Sequence, residues 1–563
     1  MAVLDLNQTS LESLEVGAVP ILNSFFRRLQ LREIFERHLT PPSPLAGKAP
    51  ALSPATIVLV LLRNILLSRQ PTYAIPQWLR GFVPDLFDLT PNQARFFNDD
   101  RIGRTLDRLF RCSQPALLTD IILQAIRAFA IDLARFHQDT TSITFHGNYP
   151  NSRPDSPAPH ITFGYNKDHR PDLKQLIWSL VVSADGAIPV HFHLHPGNTT
   201  DDQVHQQTWL TLRQLAGTAD FCYVADCKLA SSENMRFIAD QHGTFLTILP
   251  RTRKEMAEFE DYGKQHPISW QEVRRDPPRR QNDPDSVYHG WESPTLTKEG
   301  FRLLWYRSSQ KLHVDQEQRS QRLATARLQL QQLQQRATDT ATVATLQEAS
   351  DKILKQYQVE DFLHVTIERL MRKEYKQRGP GRPGPNTLYD QVEVSSFVVN
   401  VVEDKTALQA AARWDGLFPL VTNSPTFTLK EALDKYKYQP FLEKRHQQLK
   451  SVLEVAPVFL KNPERVASML LLYFVSLLVY ALIERELRQR MQQEGVEELH
   501  LYPEMRATMR PTADLALAAF VGWRRHHLLD ASGTLLKSFH DPLPAEAKMV
   551  LHLLNVDSQP YQA

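Results

Sequence analysis

The sequence is poor in cysteine. It contains three cysteines in 563 residues, Cys112, Cys222 and Cys227. An odd and sparse count excludes a disulfide framework and favours a reducing compartment. No second Cys pair or His pair lies close to Cys222 and Cys227 in the sequence, so we expect no zinc site and interpret both as small buried residues of a strand.

A strong charge imbalance is also lacking. The formal net charge is +2, so any binding to nucleic acid must come from local basic patches.

The N-terminus has neither a cationic start nor an apolar run, which excludes a signal peptide. Residues 466–483 form an uncharged run at the lower limit for a membrane span. Its serines and tyrosines and its charged surroundings favour a buried core helix, and we expect a cytoplasmic protein without a membrane partner.

The apolar fraction of 42% is that of a globular protein with a real core, and the length allows two to four domains. A run of strands is followed by helix, strand, helix and strand, which predicts an α/β (α+β) fold with a mixed sheet flanked by helices. A Gln- and Leu-rich stretch at about 311–376 predicts long helix, either an antiparallel hairpin, which we favour, or a coiled coil. The expected domains are 1–130 (helical), 131–250 (strands and helices), 251–395 (insertion), 396–490 (strand, then helices) and 491–563 (helical).

Three acidic residues form the most informative pattern. In the stretch KYKYQPFLEKRHQQLKS, Tyr436, Glu443 and Lys450 are spaced by seven residues, so Glu443 and Lys450 share one helix face. A carboxylate within a basic, aromatic stripe suits a metal ion held against a phosphate backbone. Asp139 and Asp226 each lie near the end of an apolar, strand-like run. Each acid alone has the alternative of a turn or cap residue, but three acids on two strands and a helix indicate a polynucleotidyl transferase.

Basic side chains also cluster in three other places. Arg101, Arg104, Arg108 and Arg111 share one face of a predicted helix, which either contacts phosphates or is simply solvated. Lys167 and Arg170 belong to a polar loop that is either a DNA contact or a solvated turn. The Gly-Arg-Pro core around Arg382 resembles the minor-groove element of AT-hook peptides, with a flexible linker as the alternative.

In its motifs the chain resembles the DDE-type transposases of bacterial insertion sequences, in the insertion sequence four-like superfamily with the signature Tyr-x2-Arg-x3-Glu-x6-Lys. That signature reads here as Tyr436, Gln439, Glu443 and Lys450, with Gln in place of Arg. Gln cannot supply a charged fork to phosphate, so Lys444 or Arg445 is the expected substitute. The segments YNKDHRPDLKQL and WDGLFPLVTN are also similar, and residues 1–130 resemble the helical leader, or DNA-binding, domain of one branch.

The resemblance implies an RNase H-like core made of residues 131–250 and 396–490, with Asp139 on its first strand and Asp226 after its fourth. It implies that Asp139, Asp226 and Glu443 are catalytic and bind two Mg²⁺ ions, with Mn²⁺ as an alternative. Tyr436, Gln439, Lys444, Arg445 and Lys450 would contact DNA. The implied protein is a nucleoid-associated homodimer or larger assembly that binds terminal inverted repeats, cleaves double-stranded DNA and transfers strands. A nuclease without strand transfer and a transposase-derived DNA-binding protein remain alternatives.

Overall fold

The computed structural model describes residues 9–39, 51–165, 170–199, 204–278, 283–337, 342–455 and 460–562. The chain divides into two compact units. Unit 1 comprises Met1–Ile248, Thr422–Ser424 and Leu433–Ala563, and unit 2 comprises Leu249–Val421 and Pro425–Ala432. The finer division into five domains stays a prediction.

Unit 1 begins with a strand that the sequence did not predict, followed by the predicted helices. The Ser53 hydroxyl accepts a hydrogen bond from the Thr56 N–H and so caps a helix that starts at Pro54. The elements are β1 (Ser10–Glu15), α1 (Val19–Arg28), α2 (Leu31–His38), α3 (Pro54–Leu67), α4 (Ile75–Arg80), α5 (Asp99–Arg111) and α6 (Gln114–Phe129).

A mixed sheet follows in unit 1. Its elements are β2 (Arg135–Phe145), β3 (Lys174–Ser183), β4 (Pro189–Pro196), α7 (His205–Ala216), β5 (Cys222–Ala225), α8 (Ser232–Asp240) and β6 (Thr244–Ile248). The strand order is β4-β3-β2-β5-β6. Strand β3 is antiparallel to β2 and β4, whereas β5 is parallel to β2 and β6 is parallel to β5. Three antiparallel strands joined to two parallel ones form the RNase H-like arrangement, which confirms the predicted fold class.

Unit 2 contains a second group of strands and a separate two-stranded ribbon. Its elements are α9 (Lys254–Gln265), β7 (Gln271–Asp276), β8 (Ser286–Glu292), β9 (Arg302–Ser308), α10 (Ser309–Arg336), α11 (Val343–Gln356), β10 (Leu363–Gln377), β11 (Tyr389–Glu403), α12 (Lys405–Ala412) and β12 (Leu417–Thr422). The strand order is β12-β9-β8-β7, and β10 pairs with β11 alone. The prediction of helix through residue 376 is therefore wrong beyond Gln356.

The rest of the chain supplies the central helix of unit 1. The elements are α13 (Leu429–Tyr436), α14 (Gln439–Gln447), α15 (Pro463–Glu494), α16 (Ala513–Ala518), β13 (Arg524–Leu529), β14 (Leu535–His540) and α17 (Ala545–Leu553). Among the described residues, α15 is the one helix long and apolar enough to cross a membrane, and 89% of its apolar window is buried in the protein. The predicted core helix is thus confirmed.

Helix α15 packs against the N-terminal helices and the sheet of unit 1. Its Ser468 hydroxyl donates to the Leu106 carbonyl at 2.8 Å, and its Tyr480 hydroxyl donates to the Leu66 carbonyl at 3.1 Å. Strand β13 pairs antiparallel with both β1 and β14, so the two ends of unit 1 share a small sheet. These contacts make unit 1 a single framework around the mixed sheet.

Candidate active site

The sheet register brings Asp139 and Asp226 to neighbouring positions. In the parallel pair of β2 and β5, Gln138 stands opposite Ala225. Asp139 and Asp226 are the next residues on these two chains, so they start from the same height in the sheet, with backbones about 4.8 Å apart. The sequence predicted Asp139 near the end of an apolar run, whereas in the structure it lies inside an 11-residue strand. Asp226 directly follows its strand.

Local hydrogen bonds fix the position of Asp226. The Thr247 hydroxyl on β6 donates to the Asp226 carbonyl at 2.7 Å, which ties the end of β5 to the next strand. The Lys228 N–H donates to the Asp226 carboxylate at 3.0 Å, so the side chain is oriented by its own turn. A carboxylate oriented in this way needs little reorganisation to bind a cation.

Helix α14 carries Glu443 and lies against the strand that holds Asp139. The Gln439 side-chain amide donates to the Gln138 carbonyl at 3.3 Å, and the Gln439 oxygen lies 3.1 Å from His137 Nδ1. One turn beyond Glu443, His446 Nε2 lies 3.7 Å from Asp139 Oδ2. Because residues at steps of three and four share a helix face, Glu443 is presented on the side of α14 that faces Asp139.

The three acids all affect the pKa of Tyr436. Burial raises the pKa of Tyr436 above its ordinary value. Nearby negative charge raises this pKa further, and the groups responsible are Asp226, Cys227, Glu443 and Asp139. One phenol therefore lies close enough to all three carboxylates to respond to each of them. All three predicted acids therefore lie within electrostatic range of Tyr436.

The donor chemistry of these acids fits a hard divalent cation. Mg²⁺ binds oxygen and retains water or phosphate in several of its six positions, so two carboxylates can hold an ion. Within the described ranges, no group of three His, Cys, Asp or Glu side chains is placed to hold one metal ion together. The binding of Mg²⁺ or Mn²⁺ by pairs of these carboxylates stays a prediction.

Arg445 has a structural position that differs from the prediction. It is 2% exposed, and its guanidinium donates to the carbonyls of Gly186 and Ala187 at 2.8 and 2.9 Å. It also donates to Glu484 on α15 at 2.7 Å. The predicted DNA contact of Arg445 is contradicted, because a buried guanidinium with these partners offers no surface to a phosphate. Its role in the structure is to anchor α14.

The other predicted DNA contacts of this region lie on α14 or directly beside it. Gln439, which replaces the expected Arg, bonds to β2 within the protein as described above. Lys444 is exposed beside Glu443. Lys450 lies in the π-helical turn Gln448–Val452 that extends α14, and such turns recur at functional sites. The DNA contacts predicted for Gln439, Lys444, Lys450 and Tyr436 stay predictions.

The remaining predicted DNA contacts lie elsewhere in the chain. On α5, Arg104 and Arg111 are exposed, whereas the opposite face buries Ile102 and Leu106. Arg170 is exposed and paired with Asp172 at 2.7 Å. Lys167 falls outside the described residues. Arg101 and Arg108 are half-buried on α5, and Arg382 lies between β10 and β11.

Sequence reasoning missed two side chains that support the site. His446 is 7% exposed and lies next to Asp139, and its position three residues after Glu443 was the available signal. The Tyr438 ring packs against the His137 ring in a tilted arrangement with centroids 5.0 Å apart, and its hydroxyl accepts a hydrogen bond from the Ala187 N–H at 2.7 Å. No spacing rule pointed to Tyr438, since its partners are more than 250 residues away in the sequence.

The chain is similar to one protein family over part of its length and to several solved structures. A family described as a domain of unknown function (DUF4277) matches residues 11–123. No curated protein matches the chain. Among solved structures, the chain is similar to a piggyBac transposase synaptic complex with hairpin DNA, with 8% identity, a TM-score of 0.36, and coverage of 97% of this chain and 80% of that chain. It is also similar to a Mos1 transposase paired-end complex, with 12% identity, a TM-score of 0.14, and coverage of 40% and 65%. The RNase H-like fold follows from the strand order and does not depend on these likenesses.

Proposed function

We propose that this protein is a DDE-type transposase of an insertion sequence, which binds terminal inverted repeats, cleaves DNA and transfers the cut strand. The observation that supports this proposal is the placement of Asp139 and Asp226 on neighbouring interior strands of an RNase H-like sheet, with the helix of Glu443 lying against the strand of Asp139. Asp139 on β2, Asp226 directly after β5 and Glu443 on α14 would provide the oxygen ligands.

The three acids would hold two Mg²⁺ ions, or Mn²⁺, which when bound activate a water or a 3′-hydroxyl and stabilise the leaving oxygen of a phosphodiester. The protein's own contribution is to hold the carboxylates in place. Gln439 and Arg445 fix α14, and Thr247 fixes the end of β5. Lys444, exposed beside Glu443, is placed to offset the charge of a DNA phosphate.

The partner of this reaction is double-stranded DNA, as transposon ends and as target. Because two element ends must be joined in one complex, we infer a homodimer or a larger assembly that works in the bacterial cytoplasm on the nucleoid. A net charge of +2 cannot draw the whole chain to DNA, so local patches such as the exposed Arg104 and Arg111 on α5 are the expected contacts.

The test is an Asp226→Asn variant incubated with Mg²⁺ and a labelled duplex that carries the native element end. Changes beside a metal ligand typically cost about 10- to 100-fold, so we expect loss of a direct ligand to reduce cleavage by at least about a hundredfold. End binding, measured by gel shift, should persist. The matched control is Asp220→Asn, because Asp220 is an exposed acid before the other end of the same strand.

Three outcomes separate the alternatives. Nicks and joined products from the wild type support a transposase, whereas nicks without joining indicate a nuclease that lacks strand transfer. Duplex binding without any cleavage in Mg²⁺ or Mn²⁺ indicates a DNA-binding descendant. Cleavage by Asp226→Asn at the wild-type rate contradicts the assigned site.

A further inference from the structure

The ribbon of β10 and β11 forms an arm, defined here as residues 363–403. Each strand has 15 residues and all of them are paired, from Leu363 opposite Glu403 to Gln377 opposite Tyr389. At about 3.4 Å per residue the arm extends roughly 50 Å. Its base is anchored in unit 2, where Leu363 joins a buried cluster with Ala326, Leu330 and Leu354 on α10 and α11.

The outer half of the arm lies outside that cluster and is exposed on both faces. Met371 and Tyr375 on one face are 54% and 68% exposed, and Leu370 on the other face is 50% exposed. An isolated two-stranded ribbon is only marginally stable in water. The exposure of apolar side chains along it is energetically unfavourable and is typical of an interaction surface. The outer arm is therefore suited to contact a partner.

Charge identifies the kind of partner. The outer half of the arm on both strands, residues 369–397, carries six Lys or Arg side chains and three acidic side chains, a net charge of +3, whereas the whole chain carries +2. Two of the cations are paired, Arg372 with Glu374 and Arg378 with Asp390. Lys373 lies opposite Glu393 and Lys376 opposite Asp390 in the strand register, whereas the described residues supply no ion-pair partner for Arg369 and Arg382. An arm with a net positive charge complements a polyanion such as duplex DNA. The major groove of DNA admits a two-stranded ribbon, and the narrower minor groove admits a single inserted arginine side chain.

The tip of the arm is slender. The Arg378 N–H donates to the Leu388 carbonyl at 2.8 Å and closes a loop of glycine and proline around Arg382. Gly379 and Gly381 have φ of +92° and +138°, and a Cβ added at either would meet no atom within 4 Å. Arg382 is thus the one long side chain at the apex. A narrow A·T minor groove, about 6 Å wide, attracts an inserted arginine through its enhanced negative potential.

We propose that the arm binds duplex DNA and places Arg382 in the minor groove of an A·T-rich stretch. This inference rests on the proposed function for its DNA partner, and it names a contact separate from the acid site. The flanking Lys373 and Lys376 contact phosphates and contribute affinity without sequence preference.

The experiment measures binding of the full chain to fluorescent duplexes by anisotropy. Three duplexes of one length carry an A·T tract, a G·C tract, or the same G·C tract with inosine in place of guanine. Inosine removes the 2-amino group that marks G·C pairs in the minor groove and leaves the guanine acceptors of the major groove unchanged. We expect the wild type to bind the A·T and inosine duplexes about tenfold more tightly than the G·C duplex.

The variant Arg382→Ala should lose this preference and keep the weaker binding to the G·C duplex. Lys376→Gln should weaken binding to all three duplexes and lower the salt slope by about 0.9. The matched control is Arg336→Ala, because Arg336 is an exposed arginine at the end of α10 in the same unit. Its binding should equal that of the wild type.

Each of the remaining possible results contradicts a specific part of the proposal. An unchanged A·T preference in Arg382→Ala, or no preference in the wild type, removes the minor-groove assignment and leaves the transposase proposal intact. A wild type that binds no duplex at all removes both. If Arg382→Ala changes the mass of the DNA-free assembly in sedimentation and not the duplex affinity, the arm binds a second copy of the chain, and the DNA assignment is wrong.

Discussion

Gln439 joins the helix that carries Glu443 to the strand that carries Asp139. Its amide donates to the Gln138 carbonyl, and its oxygen lies at hydrogen-bond distance from His137. An arginine at this position would bring a cation toward a buried imidazole and toward Arg135, which already lies over Tyr438 at 5.4 Å. The departure from the transposase signature therefore has a structural counterpart in the contacts of α14 with β2.

We predict that Gln439→Ala lowers both stability and cleavage. Loss of two hydrogen bonds costs about 1–3 kcal/mol and leaves the buried His137 without this partner. The same change frees the start of α14, so cleavage of an end duplex should fall by more than binding does. Urea unfolding and a cleavage time course measure the two effects. Gln447→Ala, an exposed change on the same helix, should alter neither, and equal stability of both variants contradicts the prediction.

For individual residues, the sequence indicates which side chains are candidates for the site, but it does not indicate which residues they contact in the fold. Residue type and spacing single out Asp139, Asp226 and Glu443, and their joint catalytic role stays a prediction. The pairing of Gln138 with Ala225, which makes two of them neighbours, depends on strand register, and no local pattern encodes it. The burial of Arg445 was missed because three of its four partners, Gly186, Ala187 and Glu484, come from two distant segments.

At the scale of elements, α14 is held to α15 by a buried ion pair. Arg445 and Glu484 are 2.7 Å apart, and their side chains are 3% and 1% exposed. The Gln448 amide also donates to Glu484 at 2.6 Å. Burial by itself raises the pKa of Glu484, but Arg445 and Arg488 outweigh it, and the pKa of Glu484 lies below its ordinary value of 4.5.

We predict that Glu484→Gln destabilises unit 1 at neutral pH by about 3 kcal/mol, because it leaves a buried guanidinium without its counter-charge. The lowered pKa fixes the pH dependence. The stabilisation is present above pH 4.5 and is lost as the pH falls through the folded pKa, since the unfolded state takes up the proton first. The difference between wild type and variant in urea unfolding should therefore shrink from pH 7 to pH 3.

The control for this effect is Glu497→Gln, an exposed carboxylate just beyond α15. Its difference from the wild type should stay near zero at each pH. A difference between wild type and Glu484→Gln that grows as the pH falls would contradict the assigned sign of the pKa shift.

Strand β10 shows where element prediction failed. The segment ERLMRKEYKQ consists of residues with high helix propensity, so the sequence favoured helix. The structure instead pairs it over its whole length with β11, which is rich in valine. Strand formation depends on pairing between residues as distant as Leu363 and Glu403, and local propensity cannot include that contact.

At the scale of the whole molecule, residues from the far end of the chain complete the start of unit 1. Strand β1 pairs with β13, and the buried Tyr561 hydroxyl donates to the Gly17 carbonyl at 2.7 Å. The sequence predicted only helix on both sides of this contact. It could not show that two segments about 500 residues apart form one sheet, because neither has a local partner.

We predict that Tyr561→Ala loosens the N-terminal strand. Removal of a buried aromatic side chain costs about 3 kcal/mol, whereas Tyr561→Phe, which removes the hydroxyl alone, costs about 1 kcal/mol. Hydrogen–deuterium exchange of peptides that cover residues 10–19 should be faster in the alanine variant. Tyr73→Ala, at a tyrosine that is 75% exposed, is the control. Exchange that changes only near residue 561 would contradict the coupling.

The β1–β13 pairing has a consequence for synthesis on the ribosome. Domains generally fold from the N-terminus as the chain emerges, at about 5–20 residues per second. Here the first strand has to wait until Arg524–Leu529 has been translated, on the order of half a minute to two minutes later at that rate. During this interval β1 is an unpaired edge, a candidate for chaperone capture, and a messenger RNA truncated before that point yields a product that cannot complete unit 1.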